Sequence, residues 1–61
     1  MSIHVIHSQG EWKVRKEGAS RALRVFADKQ AAINFGQKIR RTGNATLYVH
    51  RKDGTIRYAE T

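Results

Sequence analysis

The sequence predicts an α+β domain: an antiparallel sheet of four to five strands with a single α-helix packed on one face. Three observations carry this expectation. Apolar residues alternate at period two near both ends of the chain, one stretch between them switches to helical spacing, and glycine-bearing turn signals separate the alternating runs. At 61 residues there is room for one domain. A chain of this size buries only about 60% of its unfolded surface, so its margin of stability is thin.

Ile3 to His7 opens as a strand, with Ile3 and Val5 on one side and His4 and Ile6 on the other. Ser8, Gln9 and Gly10 break it. The alternation resumes from Glu11 to Lys16, where Trp12 and Val14 oppose Lys13 and Arg15, and the two runs read as an antiparallel hairpin. Gly18, Ala19 and Ser20 give the next turn signal. Leu23 to Phe26, short and rich in branched and aromatic residues, reads as a third strand.

From Asp28 the period changes. Ala32, Phe35, Gly36 and Ile39 fall at helical spacing, while Lys29, Gln30, Gln37, Lys38, Arg40 and Arg41 take the remaining faces. Asp28 stands at the N-cap, where its carboxylate can accept from the first free amides, and Gly43-Asn44 forms the C-terminal stop. Lys38, Arg40 and Arg41 complement the negative end of the helix dipole.

Thr46 to His50 alternates again, with Leu47 and Val49 apolar. Lys52, Asp53 and Gly54 make a turn, and Thr55 to Ala59 returns with Ile56 and Tyr58 to close a second hairpin. Glu60 and Thr61 read as a frayed tail. The element order is two or three strands, one helix, two strands. The expected core is Ile3, Val5, Trp12, Val14, Phe26, Ala32, Phe35, Ile39, Leu47, Val49 and Ile56.

Several of these residues together carry a resemblance. His4-Val5, Gly10, Trp12, Val14, Glu17-Gly18 and Ala31-Ala32, followed by Leu47, Val49-His50, Asp53-Gly54 and Ile56, resemble a small bacterial and phage domain family of unknown function. Its pattern runs from a His-Val start through a Trp-x-Val strand and an Ala-rich helix to a Leu-x-Val-His-x-x-Asp-Gly-x-Ile hairpin. The resemblance covers nearly the whole chain, and the closing hairpin is its most specific part. His7 departs from it, standing where the family commonly has Pro. The resemblance implies an antiparallel sheet with one helix, and it implies no activity.

Charge points to a partner class. Twelve Lys and Arg against five Asp and Glu leave a net charge of +7, and a small fold this basic draws polyanions before any specific contact forms. Nucleic acid, DNA or RNA, is the leading expectation. The chain has no cysteine, which excludes a disulfide scaffold and a thiolate metal site and favours a cytoplasmic setting. No apolar run approaches the ~20 residues a bilayer span needs, and Met1 to His7 does not read as a signal peptide.

If the apolar stripe faces the helix, alternation puts Lys13 and Arg15 from the second strand, Tyr48 and His50 from the fourth and Arg57 from the fifth on the opposite side, with His4 and Ile6. Cations there would neutralise phosphates while flat rings stack on bases or sugars. The plainer reading is a solvated face whose Lys, Arg and Tyr deter edge aggregation. Arg51 and Lys52, in the last turn, reach phosphates easily. With about five phosphates neutralised, duplex affinity should fall with salt at a logarithmic slope near −4 to −5. Arg21 and Arg24 fit either surface.

Catalysis and metal binding find little support. Glu11, Glu17, Asp28, Asp53 and Glu60 are spread without pairing, and no Ser carries an elbow motif. His4 and His7 are three apart on one strand and point to opposite faces. His4 and His50 can meet across strands, but two imidazoles without a third ligand make a poor metal site, and hydrogen-bonded structural histidines are expected. The expectation is therefore a largely non-sequence-specific nucleic-acid-binding protein, not an enzyme, with no cofactor and no metal. Its binding residues would be Lys13, Arg15, Tyr48, His50, Arg51, Lys52 and Arg57. The alternative is a protein-interaction module, docking a homodimer or an acidic partner through the same face with Ile6 and Tyr48 as anchors.

Overall fold

The hydrophobic periodicity resolves into six elements in a computed structural model that describes residues 1–61: β1 (Ser2–Ser8), β2 (Glu11–Lys16), β3 (Arg24–Phe26), α1 (Lys29–Gly43), β4 (Thr46–His50) and β5 (Ile56–Glu60). The α+β class, the element order and the single helix on one sheet face are as the sequence predicts. β1 and β2 meet through Gln9 and Gly10, both at positive φ (55° and 78°), the pattern of a type I′ turn whose twist matches the strands it joins.

The sheet order is β3-β2-β1-β4-β5. Three of its pairings are antiparallel, and β1 with β4 is parallel, so the sheet is mixed where the sequence reading made it wholly antiparallel. The helix is the cause. A parallel neighbour requires a crossover of a dozen or more residues, and α1 supplies it, returning the chain to the open side of β1 in the direction β1 already runs.

The core lies between the inner sheet face and α1. Ile3, Val5, Val14, Ala32, Leu47 and Val49 are wholly inaccessible, Trp12 nearly so, and Ala45 joins them from the helix-to-strand connection. Phe26, Ile33, Phe35, Ile39 and Tyr58 pack around this cluster, half-buried. Gly36 sets the closeness of helix and sheet: a Cβ there would fall 2.8 Å from Leu47 Cδ1 and 3.3 Å from Val5 Cγ2. No helix is long and apolar enough to cross a membrane.

Three local expectations are corrected. Ile56, assigned to the core, is 50% exposed. The register slips between Val49 and His50, so that His50 pairs with Ile56 while Val49 pairs with Tyr58. Such a bulge places an extra residue on one strand and turns the side chains beyond it to the other face, so Tyr58 takes the inner position and Ile56 leaves it. Glu60 and Thr61 are tied down rather than frayed: Gln37 Nε2 donates to Glu60 Oε1 at 2.7 Å, and Arg40 Nη1 to the Thr61 carbonyl at 3.0 Å. The third strand starts at Arg24, leaving Leu23 outside it and 49% exposed.

Helix α1 is capped as expected at its start, where Asp28 Oδ2 accepts from the Ala31 amide at 3.0 Å. At its end Gly43 is still helical. Asn44 adopts the left-handed conformation (φ 53°, ψ 46°) and sends its amide to the Arg40 carbonyl.

Candidate nucleic-acid interface

The pairing registers lay out the sheet face turned away from α1, because paired residues share a face. One row across the strands reads Val25, Lys13, Ile6 on one side of the parallel pair and His50, Ile56 on the other; Ile6 and His50 follow the last parallel pair, Val5 with Val49, and border one hollow. The next reads Arg15, His4, Tyr48, Ala59. Arg57, left unpaired by the bulge between Tyr58 and Ile56, is exposed on the edge strand β5. Of the seven residues expected to bind, Lys13, Arg15, Tyr48 and His50 therefore share the outer face, with Arg57 at the edge strand beside it and Arg51 and Lys52 exposed in the β4–β5 turn.

The remaining cations divide by what they touch. Arg24 lies over the Phe35 ring at 5.3 Å and the Phe26 ring at 5.9 Å, and Lys29 over Trp12 at 5.2 Å. Arg40 donates to Gln37 Oε1 at 2.8 Å and lies 3.9 Å from the Glu60 carboxylate. These three are held by the chain itself. Lys38 and Arg41 are exposed on the helix side. Arg21, which sequence could not place, lines a hollow on the outer face with Lys13 and Arg15.

A chain of hydrogen bonds crosses this face. His50 Nδ1 lies 3.0 Å from the Gly54 carbonyl, His50 Nε2 2.9 Å from His4 Nδ1, and His4 Nε2 meets the Glu17 carboxylate. The protons are assigned from the partners. A carbonyl only accepts, so His50 Nδ1 carries a hydrogen, and the carboxylate takes one from His4 Nε2. The two rings meet through their remaining nitrogens. His50 is thus engaged at both nitrogens.

Glu17 reaches this face because the ladder between β1 and β2 runs on past Lys16, the Glu17 amide donating to the Ser2 carbonyl at 2.8 Å. Its carboxylate on the cationic side went unforeseen, since Glu17 reads as a turn residue in sequence. His7, by contrast, is on the inner side as expected, its ring 4.8 Å from that of Trp12.

Tyr48 stacks on His4, ring centroids 5.0 Å apart and planes 13° from parallel. Its partner across β5 is Ala59, which contributes only a methyl group. The turn beyond is ordered by Asp53: Oδ1 accepts from the Thr55 amide at 3.0 Å and the Thr55 hydroxyl at 2.7 Å. These bonds, the amide first, with the Arg51 charge, hold the Asp53 carboxyl below its ordinary value.

Residues 3–61 match the family described as an uncharacterized protein conserved in bacteria (DUF2188). The chain belongs to the DUF2188 family. The match takes in essentially all six elements, and so bears out the resemblance read from the motifs. No curated protein and no solved structure matches the chain. In this DUF2188 domain the most specific motif residues build one unit: Leu47 and Val49 enter the core, His50 holds the Gly54 carbonyl, Asp53 holds Thr55, and Ile56 pairs with His50 at the bulge.

Proposed function

We propose that this DUF2188 chain is a small cytoplasmic nucleic-acid-binding protein that acts without catalysis and largely without sequence specificity, holding a strand against the outer sheet face. The carrying observation is the company that face keeps. Lys13 and Arg15 stand on the strand beside a stacked Tyr48–His4 pair, Arg57 lies on the far strand, and the chain's two ion pairs occupy neither Lys13, Arg15 nor Arg57. Cations beside a half-buried ring pair suit a polyanion whose bases can stack. Arg51 and Lys52 extend the contact to the turn. No pair of carboxylates shares a cleft on this face, which supports a binding role over an enzymatic one.

The test is a charge reversal. Arg15→Glu with Arg57→Glu should weaken binding of a fluorescent oligonucleotide at least tenfold at low salt, because two attractive contacts become repulsive. Both residues are exposed, so the urea midpoint should stay where it was. Unchanged affinity with an intact fold removes the outer face from the proposal.

A second reading rests on its own observation. Val25 and Ile56, 47% and 50% exposed, flank Ile6 in one row that ends at the two edge strands. Such a row suits docking of a second copy or another protein. Light scattering at rising concentration discriminates the two: a dimer that dissociates when Val25→Lys and Ile56→Lys are introduced favours docking, since the same changes should tighten a nucleic-acid complex.

A further inference from the structure

One part of the outer face is concave, and every charged group lining it is positive. Ser8 from β1, Lys13 and Arg15 from β2, and Ser20 and Arg21 from the β2–β3 connection surround an open hollow of about 360 Å³ beside Ile6. Three cations and two hydroxyls line it, and no carboxylate does. The connection that carries Ser20 and Arg21 is pinned at both ends, by the Ala19 amide on the Lys16 carbonyl at 3.0 Å and the Leu23 amide on the Val14 carbonyl at 2.7 Å. Arg21 therefore starts from a fixed backbone.

Bringing three like charges to one hollow is unfavourable unless something offsets it. The chain offers little. Lys13 Nζ donates to Gln9 Oε1 at 3.2 Å, and the ion pairs lie elsewhere, at His4–Glu17 and Arg40–Glu60. On the helix side, Arg24 and Arg40 show how this chain otherwise settles its guanidinium groups, on rings and on a carboxylate. Arg15 and Arg21 have no such partner.

The geometry points to an oxyanion site: a backbone phosphate of single-stranded nucleic acid seats among Lys13, Arg15 and Arg21, with the Ser8 and Ser20 hydroxyls as further donors. Charge-assisted bonds from two guanidinium groups suit a phosphate's several acceptor oxygens. Arg15 also borders a smaller hollow of about 180 Å³ with His4, His50 and the Glu17 carboxylate, and Tyr48 stacks on that His4 ring. From β2 to β4 is two strand spacings, about 10 Å. A nucleotide whose phosphate sits in the larger hollow can so lay its base on the rings, which a paired base inside a duplex cannot do. The inference rests on the nucleic-acid reading only for the source of the phosphate.

The experiment titrates the full chain with inorganic phosphate, a short oligothymidylate and an abasic oligomer of equal length, following backbone amide shifts. Phosphate is expected to move Ser8, Lys13, Ser20 and Arg21 saturably and to leave Lys38 and Arg41 still. Oligothymidylate should move Tyr48 as well, and the abasic oligomer should not. Arg21→Ala should weaken all three ligands about tenfold, as loss of one charge-assisted contact does, while Lys38→Ala changes none. Shifts spread over every cation, or equal losses in the two variants, overturn the site. Oligothymidylate binding that ignores Arg21→Ala overturns it too, and leaves the wider nucleic-acid reading standing. Saturable phosphate binding with no oligonucleotide binding keeps the oxyanion chemistry and rejects a nucleic-acid strand as its source.

Discussion

Asp53 shows how much one exposed carboxylate organises. It accepts from both the amide and the hydroxyl of Thr55, and its pKa is lowered by those bonds and by Arg51. A carboxylate whose folded pKa lies below its unfolded one contributes stability above the unfolded value and loses it as pH falls through the folded value. Asp53→Asn should therefore lower the urea midpoint at neutral pH, and the gap should close as pH drops below about 3.8, the ordinary value for this group. Midpoints measured across that window check it, and a gap independent of pH shows that the charge contributes nothing. At this scale the sequence was legible where a residue's role is local. Asp28 as cap and Asp53 as turn former are examples, because both bond within three residues of themselves. For His50 the meeting with His4 was legible from strand alternation, while its bond to the Gly54 carbonyl was not, because it follows from how the β4–β5 turn folds. Arg21 was unplaceable, since its position follows from how the β2–β3 connection folds back.

Elements were more legible than their junctions. Strand and helix existence follows from periodicity, which inspects only a few residues at a time, and β2 and β4 fall on their expected bounds. The bulge in β5 does not announce itself: Ile56 and Tyr58 alternate as if both were inner residues, and only the slipped pairing with His50 separates them. The packing of α1 on the sheet turns on Gly36, where helix propensity and close approach pull in opposite directions. Gly36→Ala should gain about 1 kcal/mol of helix propensity and lose about 1–3 kcal/mol to overpacking. The added Cβ would meet Leu47 Cδ1 at 2.8 Å, and Leu47 is wholly buried, so its methyl has nowhere to retreat. The net expected result is a lower urea midpoint. Gly43→Ala is the matched control. Its Cβ would meet Met1 Cε at 3.1 Å, but Met1 is 56% exposed and free to move, so this change should leave stability unaltered or slightly raised. If both variants shift alike, the close approach at Gly36 carries no weight.

For the whole molecule, thin stability and surplus charge meet in one argument. A domain of this size holds roughly 0.05–0.15 kcal/mol per residue of net stability, and truncating a buried Trp costs about 3–5 kcal/mol. Trp12 is 5% exposed between His7, Phe26 and Lys29. Trp12→Ala should leave a substantial unfolded population at 25 °C, seen as lost amide dispersion, and a fully folded variant would show the core to be more redundant than its short membership implies. The positive charge is spread more widely than the sequence reading required, since Lys38 and Arg41 project on the helix side. Only the outer face, however, offers Lys13, Arg15 and Arg21 together, with Arg57 on the edge strand beside it and a ring to stack on. That difference has a measurable consequence. Lys13, Arg15, Arg21, Arg57, Arg51 and Lys52 together bring six charges to a single strand and give a slope of log affinity against log salt near −4, taking about 0.7 per charge. Indiscriminate use of all twelve cations would about double it. Arg21→Ala should flatten the slope by about 0.7, because one released counterion is lost. A slope well beyond −4, or one that Arg21→Ala leaves unchanged, would move the contact off the outer face and onto the protein's overall charge.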